Sequence, residues 1–234
     1  MKLRIQITKD ASIRFISHLE YIRTIERAIR RAKIPVAYSE GFNPHMKFSL
    51  ASALGVGITS QAEFVEIELA ATIDLAATMV QLTAALPRGI RIKAADVVEK
   101  RTAKLMAQAG GADYQVLVPC AECAWQDLIQ EFNGAPSVLY QKPIPQGRGK
   151  TKEIEVKEFI PQVQAKACPE GLCLNFACKI TPTGSMKALE FLGILHQQFA
   201  LPLVLEKADV LRCDLYALNS KGKKKALLNN DYRA

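Results

Sequence analysis

The sequence predicts an α+β fold made of two ferredoxin-like β-α-β-β-α-β units, each with an antiparallel sheet and two helices on one face. Segments with the two-residue period of strands alternate with segments of helical period in that order. The same order recurs after a glycine-containing connector, although the two halves share no obvious sequence identity. A chain of 234 residues is long enough to bury two such cores.

The first predicted unit covers residues 1–100. Alternating apolar residues at Leu3, Ile5 and Ile7 predict a half-buried first strand. Further strands are expected at 36–39, 46–53, 63–69 and 90–98, and a second helix at 73–85.

The first helix is predicted to begin at Ser17, which has the spacing of a capping box with Glu20, and to end before Pro35. Apolar residues recur along it at helical intervals: Leu19, Ile22, Ile25, Ile29 and Ala32. This stripe is expected to pack inward, because one apolar face of a surface helix normally covers the core.

A connector is predicted at 101–113, where two consecutive glycines lie in a stretch with little hydrophobic periodicity. The second unit is predicted at 114–218. Its strands are expected at 114–118, 137–141, 162–167, 172–180 and 210–218, and its helices at 124–132 and 185–199. The remaining residues, 219–234, are expected to form a disordered basic tail.

The chain is basic, with 31 Lys and Arg against 23 Asp and Glu and a formal net charge of +8. Residues 1–47 hold ten basic and four acidic residues, so much of the excess lies near the N-terminus. Such an excess favours polyanions over acidic proteins as partners. A generic basic surface is the alternative.

A basic helix face and a donor-rich loop follow one another in the first unit. Arg23, Arg27 and Arg30 fall on the side of the first helix opposite to its apolar stripe, with Arg31 at the edge. The loop that follows combines turn residues, an aromatic ring and polar donors: Gly41, Phe42, Asn43, Pro44, His45 and Lys47. Guanidinium groups bind phosphates and an aromatic ring stacks on bases, which is how many proteins bind RNA. The alternative is an ordinary solvated charged face.

The second unit supplies further basic residues to the predicted RNA-binding set. The segment 142–152 carries several of them among prolines and glycines: Arg148, Lys150 and Lys152. This composition is typical of a loop that becomes ordered on binding, although a solvated surface loop is equally compatible with it. Ser185 is the expected N-cap of the last helix, with Lys187 in the first turn, and such a helix start can hold an anion.

Candidate catalytic residues are few. His18 and His45 are the candidates for an acid/base pair acting on RNA, and a structural role is the alternative for each. The sequence contains no GxSxG, HExxH or Walker motif. A binding protein is therefore favoured over an enzyme.

Six cysteines raise the question of a metal site. Cys120 and Cys123 have the spacing of metal ligands, but a four-thiolate site needs a second such pair, which the other cysteines do not supply. Free and mostly buried thiols are favoured over zinc or an iron-sulfur cluster, and metal binding by this pair stays open. No cofactor is predicted.

A cytoplasmic location without membrane association is expected. The N-terminus lacks the apolar core and cleavage site of a signal peptide. No apolar segment approaches the roughly 20 residues that a bilayer-spanning helix needs.

Several segments resemble the uncharacterised radical SAM-linked bacterial family: FISHLE at 15–20, the arginines of 23–31, YSEGFNPH at 38–45 and ALGVG at 53–57. Members of that family are encoded beside, or fused to, a radical SAM protein with a B12-binding-type domain, often near ribonuclease G and ribosomal-protein genes. The resemblance therefore implies such a partner enzyme and an RNA context. It also implies a set of site residues: His18, Arg23, Gly41, Phe42, Asn43, Pro44 and His45.

The Gly-Phe-Asn-Pro loop and the element order are also similar to the CRISPR-associated Cas6 endoribonucleases, whose late glycine-rich motif is absent here. The sequence also has no CxxxCxxC motif, so radical chemistry would belong to the partner. We expect an RNA-binding accessory protein that presents RNA to the radical SAM enzyme in RNA or ribosome modification. The alternatives are a metal-independent endoribonuclease of Cas6-like type and a protein-interaction scaffold that binds no RNA.

Overall fold

The structure, a computed structural model, describes residues 1–144, 149–182, 184–229 and 232–233. The chain divides into two compact units, one formed by Met1–Gly110 with Arg212–Ala234 and the other by Gly111–Leu211. Both units combine helices with antiparallel strand pairs, which confirms the predicted α+β class. None of the helices in the described residues has both the length and the apolar character that crossing a bilayer requires.

The first unit has the ferredoxin-like order. Its elements are β1 (Lys2–Lys9), α1 (His18–Arg31), β2 (Phe48–Leu50), β3 (Ile58–Glu68), α2 (Leu75–Ala85) and β4 (Ile92–Val98). Across the sheet the strands run β4-β1-β3-β2, so β1 and β3 are central. The strand predicted at 36–39 is reduced to two isolated bridges, Val36 with Leu69 and Tyr38 with Met46.

The core of the first unit lies between its sheet and its two helices. Leu3 pairs with Ile67 and Ile5 with Val65 in the β1-β3 register, and all four side chains face the helices. The inward face of α1 adds Tyr21, Ile25, Ala28 and Ile29. Each large apolar side chain contributes about 1.5–3 kcal/mol when fully buried.

Helix α1 begins at the predicted capping box. The Glu20 amide donates to Ser17 Oγ at 3.2 Å, and the Ser17 amide donates to Glu20 Oε2 at 2.8 Å. Hydrogen bonds from the Ser17 amide, which contributes most, and from the Ser17 hydroxyl lower the pKa of the Glu20 carboxyl. The predicted stripe is wrong at Leu19, which is 56% exposed, because its position in the first turn lies on the outward side of the helix.

A segment after β4 covers the helix-free face of this sheet. It includes α3 (Leu105–Gln108), whose first residue is buried. Lys2 Nζ donates to the Thr102 carbonyl at 2.7 Å, and Arg4 donates to the carbonyl of Ala103. The part of the predicted connector up to Gly110 therefore belongs to the first unit.

The second unit repeats the order with an insertion. Its elements are β5 (Ala109–Val118), α4 (Trp125–Gly134), β6 (Leu139–Pro143), β7 (Thr151–Glu155), α5 (Val156–Phe159), β8 (Val163–Cys168), β9 (Gly171–Thr181), β10 (Gly184–Ser185), α6 (Ala188–Gln198) and the start of β11 (Asp209–Leu218). Strand β9 pairs with β5, β8 and β10. The strand predicted at 137–141 is instead part of the separate hairpin β6-β7, in which Lys142 lies opposite Lys152.

Phenylalanine rings organise the core of the second unit. Phe191 of α6 contacts Phe132 of α4 and Phe176 of β9 edge to face, with ring centroids 5.2 and 4.8 Å apart. Phe199 adds a third such contact with Phe132 at 5.4 Å. Edge-to-face pairs of this kind stabilise a core by about 0.5–1.5 kcal/mol beyond the area that they bury.

The last helix starts later than predicted. Its N-cap is Lys187 rather than Ser185, and Ala188 is the first helical residue. The Lys187 amide donates to Glu190 Oε2 at 3.3 Å, so a carboxylate already lies at the helix N-terminus. This arrangement does not provide the anion-binding helix start that the sequence predicts, because Glu190 occupies that position.

The C-terminal residues return to the first unit, whereas the sequence assigned 210–218 to the second unit and the rest to a disordered tail. From Arg212 onward the chain belongs to the first unit. The ensuing residues form two short strands, β12 (Lys224–Lys225), which pairs with β11, and β13 (Tyr232–Arg233), which pairs with β4. Leu227 and Leu228 are buried. Apolar residues and strand pairing therefore hold this basic segment in place.

Candidate functional site

The outward face of α1 carries a row of arginines, Arg23, Arg27 and Arg30, hereafter the arginine row. All three are exposed, and the buried residues of the helix lie on the opposite side. Arg30 donates to Glu26 Oε1 at 2.8 Å. Arg23 and Arg27 make no hydrogen bond or ion pair within the described part of the chain, which leaves two guanidinium groups available to a ligand.

Arg31 has a structural contact instead. Its guanidinium donates to the carbonyl of Ala85, the last residue of α2. Carbonyls in the last turn of a helix lack intrahelical partners, so a cation there satisfies an acceptor and complements the helix dipole. We therefore exclude Arg31 from the arginine row.

The loop after α1 is closed at its base by backbone pairing. The Ser39 amide donates to the His45 carbonyl at 2.8 Å, and the His45 amide donates to Ser39 Oγ at 2.9 Å. Residues 40–44, hereafter the loop tip, therefore project from a closed base. Gly41 has φ +115°, a conformation that strongly favours glycine, with open space around the position of a Cβ.

Phe42 is the most exposed large apolar residue on the loop tip. Its relative exposure is 106%, so the ring is as open to solvent as in an extended peptide. Asn43, Pro44 and His45 beside it are also exposed. An aromatic ring in this position contributes nothing to the core and is available to stack on a flat ligand.

The arginine row and the loop are adjacent at one end. Arg30 lies close enough to Tyr38 for an electrostatic interaction, and Tyr38 pairs with Met46 at the base of the loop. Lys47 follows this base and is exposed. The row and the loop therefore belong to one side of the first unit.

His18 and His45 lie at opposite ends of α1. The Tyr21 hydroxyl donates to the Thr8 carbonyl at 3.0 Å, so the helix begins beside the C-terminal end of β1, and His18 is its first residue. The loop with His45 follows the other end of the helix. A helix of 14 residues is about 21 Å long, which is too far for the two imidazoles to act as one acid/base pair.

A groove extends from Lys47 onto the edge of the sheet. It has a volume of about 360 Å³ and is lined by Lys47, Phe48, Ser49, Glu66, Glu68 and Lys104. Its lining therefore contains both lysine and glutamate side chains. The groove is therefore less suited to a polyanion than the arginine row.

Part of the N-terminal positive charge is buried. Lys2 and Arg4 form ion pairs with Glu66 at 3.3 and 2.8 Å, and all three side chains are buried. Lys9 is buried too, and burial lowers the pKa of its ammonium. Exposed positive charge in residues 1–47 therefore lies mainly on α1 and in the residues after it.

Among the side chains that the structure describes, the helix-free face of the sheet offers no exposed aromatic ring for base stacking. Phe64 on this face is only 4% exposed, and residues 226–228 line a cavity beside it. The described side chains therefore do not support sheet-face recognition, in which aromatic residues on strands stack on bases. The helix side is left as the candidate surface.

The second unit places its basic residues around a different groove. Lys142 forms an ion pair with Glu190 at 3.0 Å, and Lys187 lies 3.7 Å from the same carboxylate. Lys150 and Lys152 are exposed. Lys142 and Lys152 line a cavity of about 220 Å³ with several apolar side chains. Arg148 lies outside the described residues.

The two cysteines of the CxxC motif are free and close together. Their sulfur atoms are 3.9 Å apart, and both residues are half-buried. Burial, together with the neighbouring Cys123 thiol, raises the pKa of Cys120 to about 11. In the described ranges no three His, Cys, Asp or Glu side chains form a cluster that could hold a metal ion.

Sequence reasoning missed a group of exposed apolar residues at the start of α1, namely Phe15, Leu19 and Val56, hereafter the apolar cap. Leu19 lies four residues before Arg23 and so shares its face of the helix. The four-residue spacing from Arg23 could have indicated that Leu19 faces outward. Because Leu19 is apolar, it was instead predicted to pack in the core. Nothing in the periodicity indicates that Phe15 and Val56 are exposed.

Comparisons with solved structures support the fold. A chain in the structure titled "Crystal Structure of a Cbf5-Nop10-Gar1 Complex" is similar to this one, with a TM-score of 0.52 and 8% identity over 91% of this chain and 48% of that chain. This chain therefore spans about half the length of that one, and identity this low indicates a shared fold alone. An unknown protein from Galdieria sulphuraria is 12% identical over 93% of this chain and 98% of that one, with a TM-score of 0.25 that supports no structural inference.

Sequence comparison identifies the family of the chain. No curated protein matches it. The profile of one family matches residues 2–189, which is most of the chain. The chain thus belongs to the bacterial family described as "Uncharacterized protein conserved in bacteria (DUF2344)".

Proposed function

We propose that this protein is an RNA-binding accessory protein that presents an RNA substrate to a partner enzyme. RNA contacts the outward face of α1 and the loop tip. Phosphates bind the arginine row, and a base stacks on the Phe42 ring.

The observation that carries the proposal is the full exposure of Phe42. Burying a phenylalanine side chain stabilises a protein by about 1.5–3 kcal/mol, and Phe42 forgoes this contribution. The closed base between Ser39 and His45 holds the ring away from the core. Stacking between a base and an aromatic side chain contributes about 1–3 kcal/mol to binding, which is a reason to keep such a ring in solvent.

The arginine row supplies the electrostatic part of the interaction. Arg23 and Arg27 are exposed and four residues apart on one helix face; Arg23 interacts electrostatically with Glu20, and neither guanidinium forms a close ion pair in the described structure. Guanidinium groups bind phosphate oxygens bidentately and remain charged at every physiological pH. Affinity for RNA should therefore fall with salt concentration, as it does whenever bound cations replace counterions.

Presentation to an enzyme is the second part of the proposal. The resemblance to the radical SAM-linked family suggests a radical SAM partner with a B12-binding-type domain, acting in RNA or ribosome modification. The separation of His18 and His45 supports placing the chemistry in the partner rather than in this chain. The basic residues of the second unit, Lys150, Lys152 and Lys187, are candidates for additional RNA contacts.

Fluorescence anisotropy with a labelled RNA tests the proposal. Phe42→Ala is expected to raise the Kd at least fivefold, whereas Phe42→Tyr, which keeps the ring, stays within twofold of the unmodified protein. Thermal unfolding should be unchanged in both variants, because the ring lies outside the core. Equal affinity of Phe42→Ala and the unmodified protein would contradict the proposal. Failure of the unmodified protein to bind any RNA at low salt would instead favour a protein-interaction scaffold.

A further inference from the structure

The apolar cap is held on two loops that are tied to each other. Arg14 Nε and Nη2 donate to the Gly57 carbonyl at 2.9 and 2.7 Å, and the Gly57 amide donates to the Arg14 carbonyl at 2.9 Å. The Phe15 ring packs beside Gly57, and the Arg14 guanidinium lies 5.5 Å from the ring centroid. Phe15 is nevertheless 76% exposed and Val56 is 52% exposed.

Two buried cationic side chains donate hydrogen bonds to the same two loops. Lys9 Nζ donates to the carbonyls of Arg14 and Ile16 at 3.0 and 3.3 Å. Arg212 Nη1 donates to Ser52 Oγ at 3.2 Å, within the loop that also carries Val56 and Gly57. The apolar cap is therefore a pre-organised surface. Little entropy is lost in ordering its loops when a ligand binds.

The apolar cap continues into the arginine row. Leu19, Arg23, Arg27 and Arg30 lie at helical spacing on the outward face of α1. Phe15 and Val56 lie at the end where the helix begins, and the loop that carries the exposed Phe42 follows the other end. The surface therefore has an exposed aromatic ring at each end and guanidinium groups between them, over about the 21 Å length of α1.

The size of the cap favours a nucleic acid over a protein. Three partly exposed side chains present an apolar area of a few hundred Å², which is ordinary for the largest patch on a monomer. A stable protein interface needs about 800 Å² from each partner. A single base covers one aromatic ring, and the adjacent arginines match a polyanion.

We propose that the RNA segment bound by this protein is single-stranded and runs along α1, with one base stacked on Phe15 and another on Phe42. This inference rests on the RNA binding proposed above and names the class of RNA. Bases inside a duplex are stacked on each other and cannot reach the two rings, whereas unpaired bases can. The phosphates between the two stacked bases lie against Arg23 and Arg27.

The test uses the full-length protein and 12-nucleotide RNAs with the fluorescent base 2-aminopurine at one end or the other. Stacking on Phe15 should change the fluorescence of one end, and Phe15→Ala should abolish only that change. Phe42→Ala should abolish only the change at the other end. Each substitution should raise the Kd at least about fivefold. Met106→Ala, which alters an exposed apolar residue of α3, is the control and should leave both signals intact.

Three other outcomes overturn the inference and separate it from the proposed function. If the RNA binds and Phe42→Ala weakens binding while Phe15→Ala stays within twofold, the single strand does not reach the cap. If a duplex of the same sequence binds as tightly as the single strand, the RNA class is wrong although RNA binding stands. If no RNA binds at low salt, the proposed function fails, and the inference fails with it.

Discussion

Arg212 and Glu63 form a buried ion pair although 149 positions separate them in the sequence. Arg212 Nε donates to Glu63 Oε1 at 2.9 Å, and both side chains are only 1% exposed. Arg212 is also the first residue of the C-terminal segment that belongs to the first unit. The pair therefore marks the point at which the chain returns to that unit.

Removing the guanidinium should destabilise the protein strongly. Arg212→Met leaves the Glu63 carboxylate buried without this partner, and breaking a buried pair in this way costs about 3–5 kcal/mol. Urea unfolding measures the change. Arg101→Met is the matched control, because its pair with Glu99 is exposed and contributes about 1 kcal/mol at most. Equal losses in the two variants would contradict the structural role of Arg212.

Removing Glu26, an acidic neighbour of the arginine row, should strengthen RNA binding. Glu26→Gln releases Arg30 from its ion pair and removes a negative charge from the proposed interface. We expect the Kd to fall about two- to fivefold at low salt, as suits one partly screened charge. Glu99→Gln makes the same change on an exposed pair elsewhere in the unit and should have no effect. A Kd that is unchanged or higher in Glu26→Gln would place the RNA elsewhere.

Acid should weaken the start of α1. The amide and hydroxyl of Ser17 hold the pKa of Glu20 below its ordinary value, so the carboxylate stabilises the folded state above about pH 4.5. This contribution is lost as the pH falls through the lowered pKa. Glu20→Gln keeps a hydrogen-bonding side chain that does not ionise. The stability advantage of the unmodified protein over this variant, measured by urea unfolding, should therefore shrink between pH 6 and pH 3. An advantage independent of pH would show that the charge of Glu20 is irrelevant.

The raised pKa of Cys120 makes its alkylation slow at neutral pH. Since the thiolate is the reactive form, its reaction rate with iodoacetamide should rise about tenfold per pH unit until the pH approaches 11. Mass spectrometry of peptides measures the rate. Cys123→Ser removes the neighbouring thiol and should lower the pH at which the rate levels off. A plateau by pH 9 in the unmodified protein would contradict the raised pKa.

Local sequence patterns predicted most elements of the fold. The alternation of Leu3, Ile5 and Ile7 predicted which side of β1 faces the core. The Ser17 capping box predicted the start of α1 to within one residue. These signals are local, because a strand or a helix start is decided by a few neighbouring residues. The β6-β7 hairpin and the course of the C-terminal segment depend on distant partners such as Glu63, which no local pattern reveals.

The candidate site was predictable in part. The outward position of the arginine row follows from helical spacing alone, and the turn character of the loop follows from its glycine, asparagine and proline. The contact of Arg31 with Ala85 joins residues 54 positions apart, so the helix wheel could not exclude Arg31. Exposure of Phe15 likewise depends on how two loops meet, and residue type alone favours a buried ring.

The salt dependence of RNA affinity tests the central claim most directly. Each phosphate of a single strand that a bound cation neutralises contributes about −0.7 to the slope of log K against log salt concentration, because its counterions are released. If Arg23 and Arg27 each neutralise one phosphate, the Arg23→Ala/Arg27→Ala variant should bind more weakly and its slope should be smaller by about 1.4. Arg101→Ala should leave the slope unchanged. A slope equal to that of the unmodified protein in the double variant would show that RNA does not bind along α1.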